Sequence, residues 1–332
     1  MYDSLTMSKV DEQTDPHLQR LYPIYVRLGN SPKNYRAGFM NADGKVVIEP
    51  TFEDARTFSE GLASVQLNGK WGAIDSSGEL VIPCGHTLGL DFSSGVAQFE
   101  DGSLRGLIAR DGSVILRPKY CAISRFREGL AYVWDGKQFG FINLRGEEVI
   151  PPFFEEAREF SGNIAPVRLN GKWGYIDRRA AWVIKPSFDA AMPFSEGLAR
   201  VSVAERWGFI DSQGAFSITP RYAMTLDFRS GIASASRQKK GPYGFINSSG
   251  EFFIEPAYIY PRYFSEGLAA VTTVGHSFQH FINIHGDQAF AGEYLGAHDF
   301  HEGLCRVSTL DTTAYIDHRG QAVWEGPYVD RP

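Results

Sequence analysis

The sequence predicts an all-β repeat protein. Nine tandem units of about 34 residues, each a three-stranded meander, are expected to form an open, curved β-solenoid or superhelix, with a β-propeller as the alternative. Three observations carry this. A glycine recurs as Gly38, Gly72, Gly106, Gly140, Gly174, Gly208 and Gly244, with His280 and Ala314 in the same slot, at steps of 34 or 36 residues. The chain of 332 residues holds 35 Gly, 24 Phe, 15 Tyr and 6 Trp, the mix expected of short strands joined by tight turns. Alternating apolar runs punctuated by turn residues fill each interval. The units span roughly residues 22 to 328, which leaves a polar N-terminal segment, 1–20, and one repeat domain, 21–332.

Each unit can be read in order from its anchor glycine. Strand B carries the anchor and ends on Asp or Asn (Asn41, Asp75, Asn143, Asp177, Asp211, Asn247, Asn283, Asp317), with Ala109 the exception. Three residues later a glycine closes the hairpin, except at Ala180. The Asx side chain caps the turn backbone and glycine supplies a positive φ. Asp and Asn exchange freely in that column, which fits a turn and argues against catalytic or metal-binding carboxylates. Strand C follows, usually ended by proline, which cannot continue a ladder. A ten-residue connector then carries an aromatic column and a phenylalanine column: Phe58, Phe92, Phe126, Phe160, Phe194, Phe228, Phe264 and Phe300. Such columns read as the stacking core between successive units. A second glycine column precedes strand A, with Asn163 in the one slot that lacks glycine, so a left-handed backbone is expected there. Strand A alternates, and one face of it is expected to be exposed.

Open or closed architecture turns on two features. A unit of 34 residues is short for a four-stranded propeller blade, and nine exceeds the usual four to eight blades. The chain also begins with strand A and ends after strand C, without a strand to exchange between its termini. Both features favour the solenoid.

The motifs Gly69-Lys70-Trp71-Gly72-Ala73-Ile74-Asp75, Gly171-Lys172-Trp173-Gly174-Tyr175-Ile176-Asp177 and Phe194-Ser195-Glu196-Gly197-Leu198-Ala199 resemble the WG-repeat (KWG-repeat) family of bacterial proteins. The resemblance covers nearly the whole chain. It implies a binding or scaffold module without common catalytic residues, and as a specialisation an immunity, effector or adaptor protein of a secretion system. The last two copies depart from the pattern, with His280 and Ala314 for glycine and Gly292 and Gly326 for proline, and read as a degenerate C-terminal cap.

Composition narrows the function. A formal net charge of −6 argues against nucleic-acid or anionic-membrane partners. No apolar run is long enough to span a bilayer, and no signal-peptide core precedes the repeats, so a cytoplasmic protein is expected, with non-Sec secretion left open. Cys84, Cys121 and Cys305 are far apart and read as isolated thiols in a reducing compartment. No catalytic motif is recognisable, and neither an enzyme nor a cofactor is expected. Six histidines (His276, His280, His285, His298, His301, His318) crowd the C-terminal end, yet none has metal-ligand spacing, and no metal site is assigned.

Binding is therefore sought where aromatics or cations break a polar column. Tyr132 and Trp134 on strand A, with Arg168 and Arg200 in the next two units, form a candidate partner-binding patch. The extended A–B hairpin adds a basic tip, Arg237, Lys239 and Lys240. Trp182, Phe216 and Phe252 share one column on strand C and read first as packing against the neighbouring unit. The main expectation is a non-enzymatic scaffold for a protein partner. The alternative is a carbohydrate or cell-wall binding protein that uses exposed aromatics as stacking platforms, and a third reading places an enzyme at the histidine-rich end.

Overall fold

The computed structural model describes residues 21–28 and 35–327; the N-terminal segment 1–20, residues 29–34 of the first A–B loop, and residues 328–332, Tyr328 of the aromatic column among them, lie outside the described residues. Among the described residues every regular element is a β-strand. We number the units 1 to 9 by their anchors. Unit 2 shows the pattern: a short inner strand Asp54–Ala55, strand A Leu62–Leu67, strand B Lys70–Asp75 and strand C Leu80–His86, hydrogen-bonded in that order. The expected three-stranded meander is thus corrected to four strands in most units. The fourth lies inside the connector, and at two residues it is too short to leave a periodic signal.

The first and last units meet, so the expected open solenoid is corrected to the alternative, a closed β-propeller. Eight sheets carry the nine units, because strand Phe252–Ile259 pairs with Leu268–Thr273 and joins units 7 and 8 in one six-stranded sheet. Among the described residues no strand is exchanged across the closure. Tyr22, Ile24 and Met40 of unit 1 pack against Leu304 and Tyr315 of unit 9, and the Tyr315 hydroxyl donates to the Pro23 carbonyl at 3.3 Å. The turn glycine of unit 1, Gly44, lies against strand C of unit 9 at the Val323 backbone, while Gly78 one unit on lies against strand C of unit 1 at the Ile48 side chain. The seam therefore brings together the same two elements as an ordinary junction, through a different contact.

The anchor glycine answers to a close approach, not to an unusual φ. Strands B and C pair through a bulge: in unit 5 Trp173 faces Phe188 and Tyr175 faces Ile184, so three residues of one strand oppose five of the other. A Cβ on Gly174 would lie 2.6 Å from the Ile184 carbonyl oxygen and 2.7 Å from the Pro186 nitrogen. Proline does not end strand C, as the sequence suggested. It sits within the strand at the bulge, where no N–H is required of it. Where the glycine is lost the wide bulge at the anchor goes too, and unit 9 keeps only a register shift between Tyr315 and Ile316. In unit 9 Ala314 pairs directly with Glu325 along a ladder running from Thr312 to Ile316, and in unit 8 no regular strand C forms among the described residues.

The Asx column behaves as a turn column. Asp177 Oδ1 accepts the N–H groups of Arg179 and Ala181 at 2.8 Å each, and Asn247 Oδ1 accepts those of Ser249 and Glu251 in the same way. Only an oxygen is used, which is why Asn substitutes for Asp. Ala180, in the glycine slot, is held at φ 62°. Ala180→Gly is expected to raise stability by about 0.5–1 kcal/mol, because glycine takes that conformation without a Cβ penalty. A urea midpoint that fails to rise would overturn this.

The phenylalanine column does join the units. Phe160, Phe228 and Phe264 meet Phe141, Phe209 and Phe245 edge-to-face at 4.7–4.9 Å, each pair linking one unit's strand B to the connector that leads into the next. Beside it lies a second tie. Glu60, Glu128, Glu196 and Glu266 each accept two successive backbone N–H groups of the following unit, such as Ser230 and Gly231 at 2.6 and 2.9 Å for Glu196. Those glutamates themselves stand at φ 52°. Asn163, at φ 63°, bears out the left-handed slot.

Candidate binding surfaces

Sandwiching each sheet between two neighbours changes what strand A can present. One face of it was expected to be exposed, but Ser64, Ser202 and Ser234 on that face are buried. Both faces of an inner strand are covered in a propeller, and exposure returns only at the A–B hairpin end. Tyr132 is consequently half-buried, its ring 5.9 Å from Phe139. Burial pushes its hydroxyl pKa up, with Glu159 adding to the effect and Arg158 opposing it. Trp134, one turn of the pleat farther out, is 36% exposed and lies at 6.2 Å and 23° to Phe139. Phe153, 56% exposed, stands at the same end of the sheet, its carbonyl receiving the Gln138 amide at 2.9 Å. The hairpin that carries these groups is rigid, since Asp135 Oδ1 accepts the N–H groups of Lys137 and Gln138. Phe153 was missed in the sequence; its column otherwise holds Thr51, Gly85, Lys119, Ser187, Arg221, Ala257, Glu293 and Pro327, so a large aromatic there was a detectable departure.

The arginines chosen with this patch are engaged elsewhere. Arg168 Nη1 donates to Glu156 at 2.7 Å. Arg200 is only 15% exposed; it lies over Trp207 at 5.2 Å and donates to Asp227 at 2.5 Å and to the Thr225 carbonyl at 2.7 Å. At the basic tip Arg237 covers Phe252 at 4.3 Å and pairs with Glu255, while Lys239 pairs with Glu205, both at 2.8 Å. Lys240 remains exposed at that hairpin. Trp182 meets Phe154, Phe216 meets Phe188 and Phe252 meets Tyr222, so that stripe does pack against the preceding unit.

The C-terminal histidines are dispersed. His318 stacks on Phe300 at 4.7 Å and reaches Glu266 at 2.8 Å, while His298 and His301 line the central channel. Among the described residues no group of three or more His, Cys, Asp or Glu is placed to hold a metal ion. All three cysteines are free thiols. Burial pushes the Cys305 pKa from its ordinary 9.0 up to about 12. Cys305 is therefore expected to resist Ellman's reagent until the protein unfolds, whereas the partly exposed Cys84 and Cys121 react first. Equal rates for all three would contradict this. The raised pKa also means that the stability from keeping this thiol neutral is full below pH 9 and declines as pH rises toward 12.

The ring of sheets, closed by contacts between its first and last units, defines a β-propeller repeat protein. The family model of the WG containing repeat matches seven times, at residues 38–71, 71–104, 106–133, 139–173, 173–205, 207–240 and 243–273. The chain belongs to the WG-repeat family. No curated protein matches it in sequence. Among solved structures it is similar to a eukaryotic initiation factor, at 12% identity and a TM-score of 0.67 over 94% of this chain and 96% of that one. It is also similar to the dihydro-heme d1 dehydrogenase NirN (11%, TM-score 0.47, 68% and 61%) and to AztD of Citrobacter koseri (13%, TM-score 0.46, 94% and 96%). The first likeness is one of fold alone, and the other two are too loose to carry an argument. Among the described residues no helix is long and apolar enough to cross a membrane, which says nothing of a β-barrel.

Proposed function

We propose that this propeller is a non-enzymatic binding module that holds a carbohydrate, such as a cell-wall glycan, on the hairpin end of unit 4. The observation that carries this is the near-parallel pair of Trp134 and Phe139, with Trp134 open to solvent. A flat aromatic platform accepts the C–H face of a sugar, and the amide of Gln138 and the ammonium of Lys137 stand on the same hairpin for its hydroxyls. The arginines that a protein hot spot would use are tied to Glu156 and Asp227, which weighs for a glycan. A protein partner, as for an adaptor, is the second reading, supported by exposed Val149 and Phe153, which extend the apolar area along strand C.

The test is retention on insoluble polysaccharides (purified peptidoglycan, chitin and cellulose), with wild type compared with Trp134→Ala. Retention of the wild type on at least one of them, weakened about tenfold by the substitution with an unchanged melting temperature, is expected, since a tenfold change corresponds to about 1.4 kcal/mol. If the wild type is retained on none, or the variant binds equally, the glycan reading fails. Loss by the variant of a partner captured by cross-linking would then favour the protein reading.

A further inference from the structure

Unit 3 breaks the repeat in a place where breaking it opens a pocket. Its sheet has three strands, Val96–Asp101, Leu104–Ala109 and Val114–Tyr120, and lacks the inner strand that units 2 and 4 possess. The residues that would form it include Gly89, in a slot that is alanine in four other units (Ala55, Ala157, Ala191, Ala297) and Ile123, Thr225 or Pro261 in three more. Those alanines are buried against their sheets. At Gly89 the space of a side chain is taken by a guanidinium: a Cβ there would lie 2.6 Å from Cζ of Arg56. The strand's hydrogen bonding is replaced by a side chain, with the Leu90 N–H donating to the Ser64 hydroxyl at 2.7 Å.

The result is a cavity of about 310 Å³ between units 2, 3 and 4, walled by Arg56, Asp91, Gln98, Arg105 and Arg125. Its size falls at the lower end of the small-molecule range. Arg56 is held in place from two further sides, its guanidinium 5.0 Å over the Trp71 ring and its Nη1 donating to Asp91 at 2.5 Å. Arg105 is oriented by Gln98 at 3.4 Å and Glu100 at 3.5 Å. The guanidinium of Arg125 is exposed and makes no hydrogen bond or ion pair among the described residues. Three guanidiniums thus converge on a wall with one carboxylate, in a chain whose net charge is −6. A planar guanidinium has five donors, so Arg56 and Arg105 retain N–H groups beyond those their partners take.

We propose that this pocket binds a small solute bearing oxyanion groups, phosphate or carboxylate, with Arg125 as the principal anchor and Arg56 and Arg105 as its preset companions. Guanidiniums preset by a ring face and by carboxylates, as Arg56 and Arg105 are, attract an anion more strongly than freely moving surface cations, because less reorganises on binding. The site is separate from the aromatic platform of unit 4 and does not depend on it.

The test is isothermal titration of the full chain with pyrophosphate and, separately, with tricarballylate at low ionic strength. Saturable one-to-one binding of at least one of them is expected, and the pair tells a phosphate preference from a carboxylate one. Arg125→Ala is expected to weaken that binding at least tenfold while leaving the melting temperature unchanged, since this exposed side chain makes no hydrogen bond or ion pair among the described residues. Gly89→Ala is expected to weaken it as well, by displacing Arg56. The exposed-surface control Arg319→Ala and the patch variant Trp134→Ala are both expected to bind like wild type. If the wild type binds neither probe, or Arg125→Ala binds with unchanged affinity, the proposal is overturned.

Discussion

Gly174→Ala is expected to destabilise the protein by about 3 kcal/mol, far beyond what loss of backbone entropy in the unfolded chain would return. The new Cβ would sit 2.6 Å from the Ile184 carbonyl oxygen and 2.7 Å from the Pro186 nitrogen. Both are backbone atoms of a paired strand, so no side chain can swing aside. Relief requires the bulge to open, and the bulge sets the course of strand C through Phe188, which packs in the core of units 5 and 6. Gly197→Ala provides the comparison. Gly197 has φ 81° but nothing within 4 Å of its would-be Cβ, so the cost there is conformational alone, about 1 kcal/mol. Urea unfolding of the two variants should rank them clearly, and equal midpoints would refute the close-approach account of the anchor.

Tyr315→Ala is expected to cost about 3–4 kcal/mol, by analogy with truncation of other large buried aromatics. The damage should also be localised. Tyr315 meets Tyr22 edge-on at 5.5 Å and Trp324 at 6.3 Å, and the seam it anchors has a small core of Tyr22, Ile24, Met40 and Leu304. Units 4 and 5 share a larger one, built around Phe141, Phe154, Phe160 and Ile176. Among the described residues no strand crosses the seam, which makes it the natural place for the ring to part. Hydrogen exchange should show Tyr22–Arg27 and Thr312–Ile316 losing protection before Lys172–Asp177 on the far side. Uniform loss around the ring would show that the propeller opens as one unit instead.

The repeat was readable because its requirements are local and recur nine times. Asp177 and Asn247 were identifiable as turn caps by their interchange, and Phe160 and Phe228 as part of the stacking core by their fixed offset. Other features left little trace. The inner strand Asp54–Ala55 has no period to detect, and proline, a sound strand terminator in isolation, turned out to occupy a bulge. The binding patch was half legible. Tyr132 and Trp134 stood out as aromatics in a polar column, but whether Arg168 and Arg200 could join them depended on carboxylates supplied by other segments.

The sequence by itself determined the all-β class, the unit, its turns and the residues that stack one unit on the next, since each follows from backbone geometry within a few dozen residues. The tertiary structure decided the rest. Small rotations between units add up, so closure depends on their sum and cannot be seen in any one of them. Once the ring closes, every sheet is covered on both faces. That buries Ser64 and Ser234, leaves Trp134 exposed at a hairpin end, and brings Arg56, Arg105 and Arg125 from three different units around the gap at Gly89.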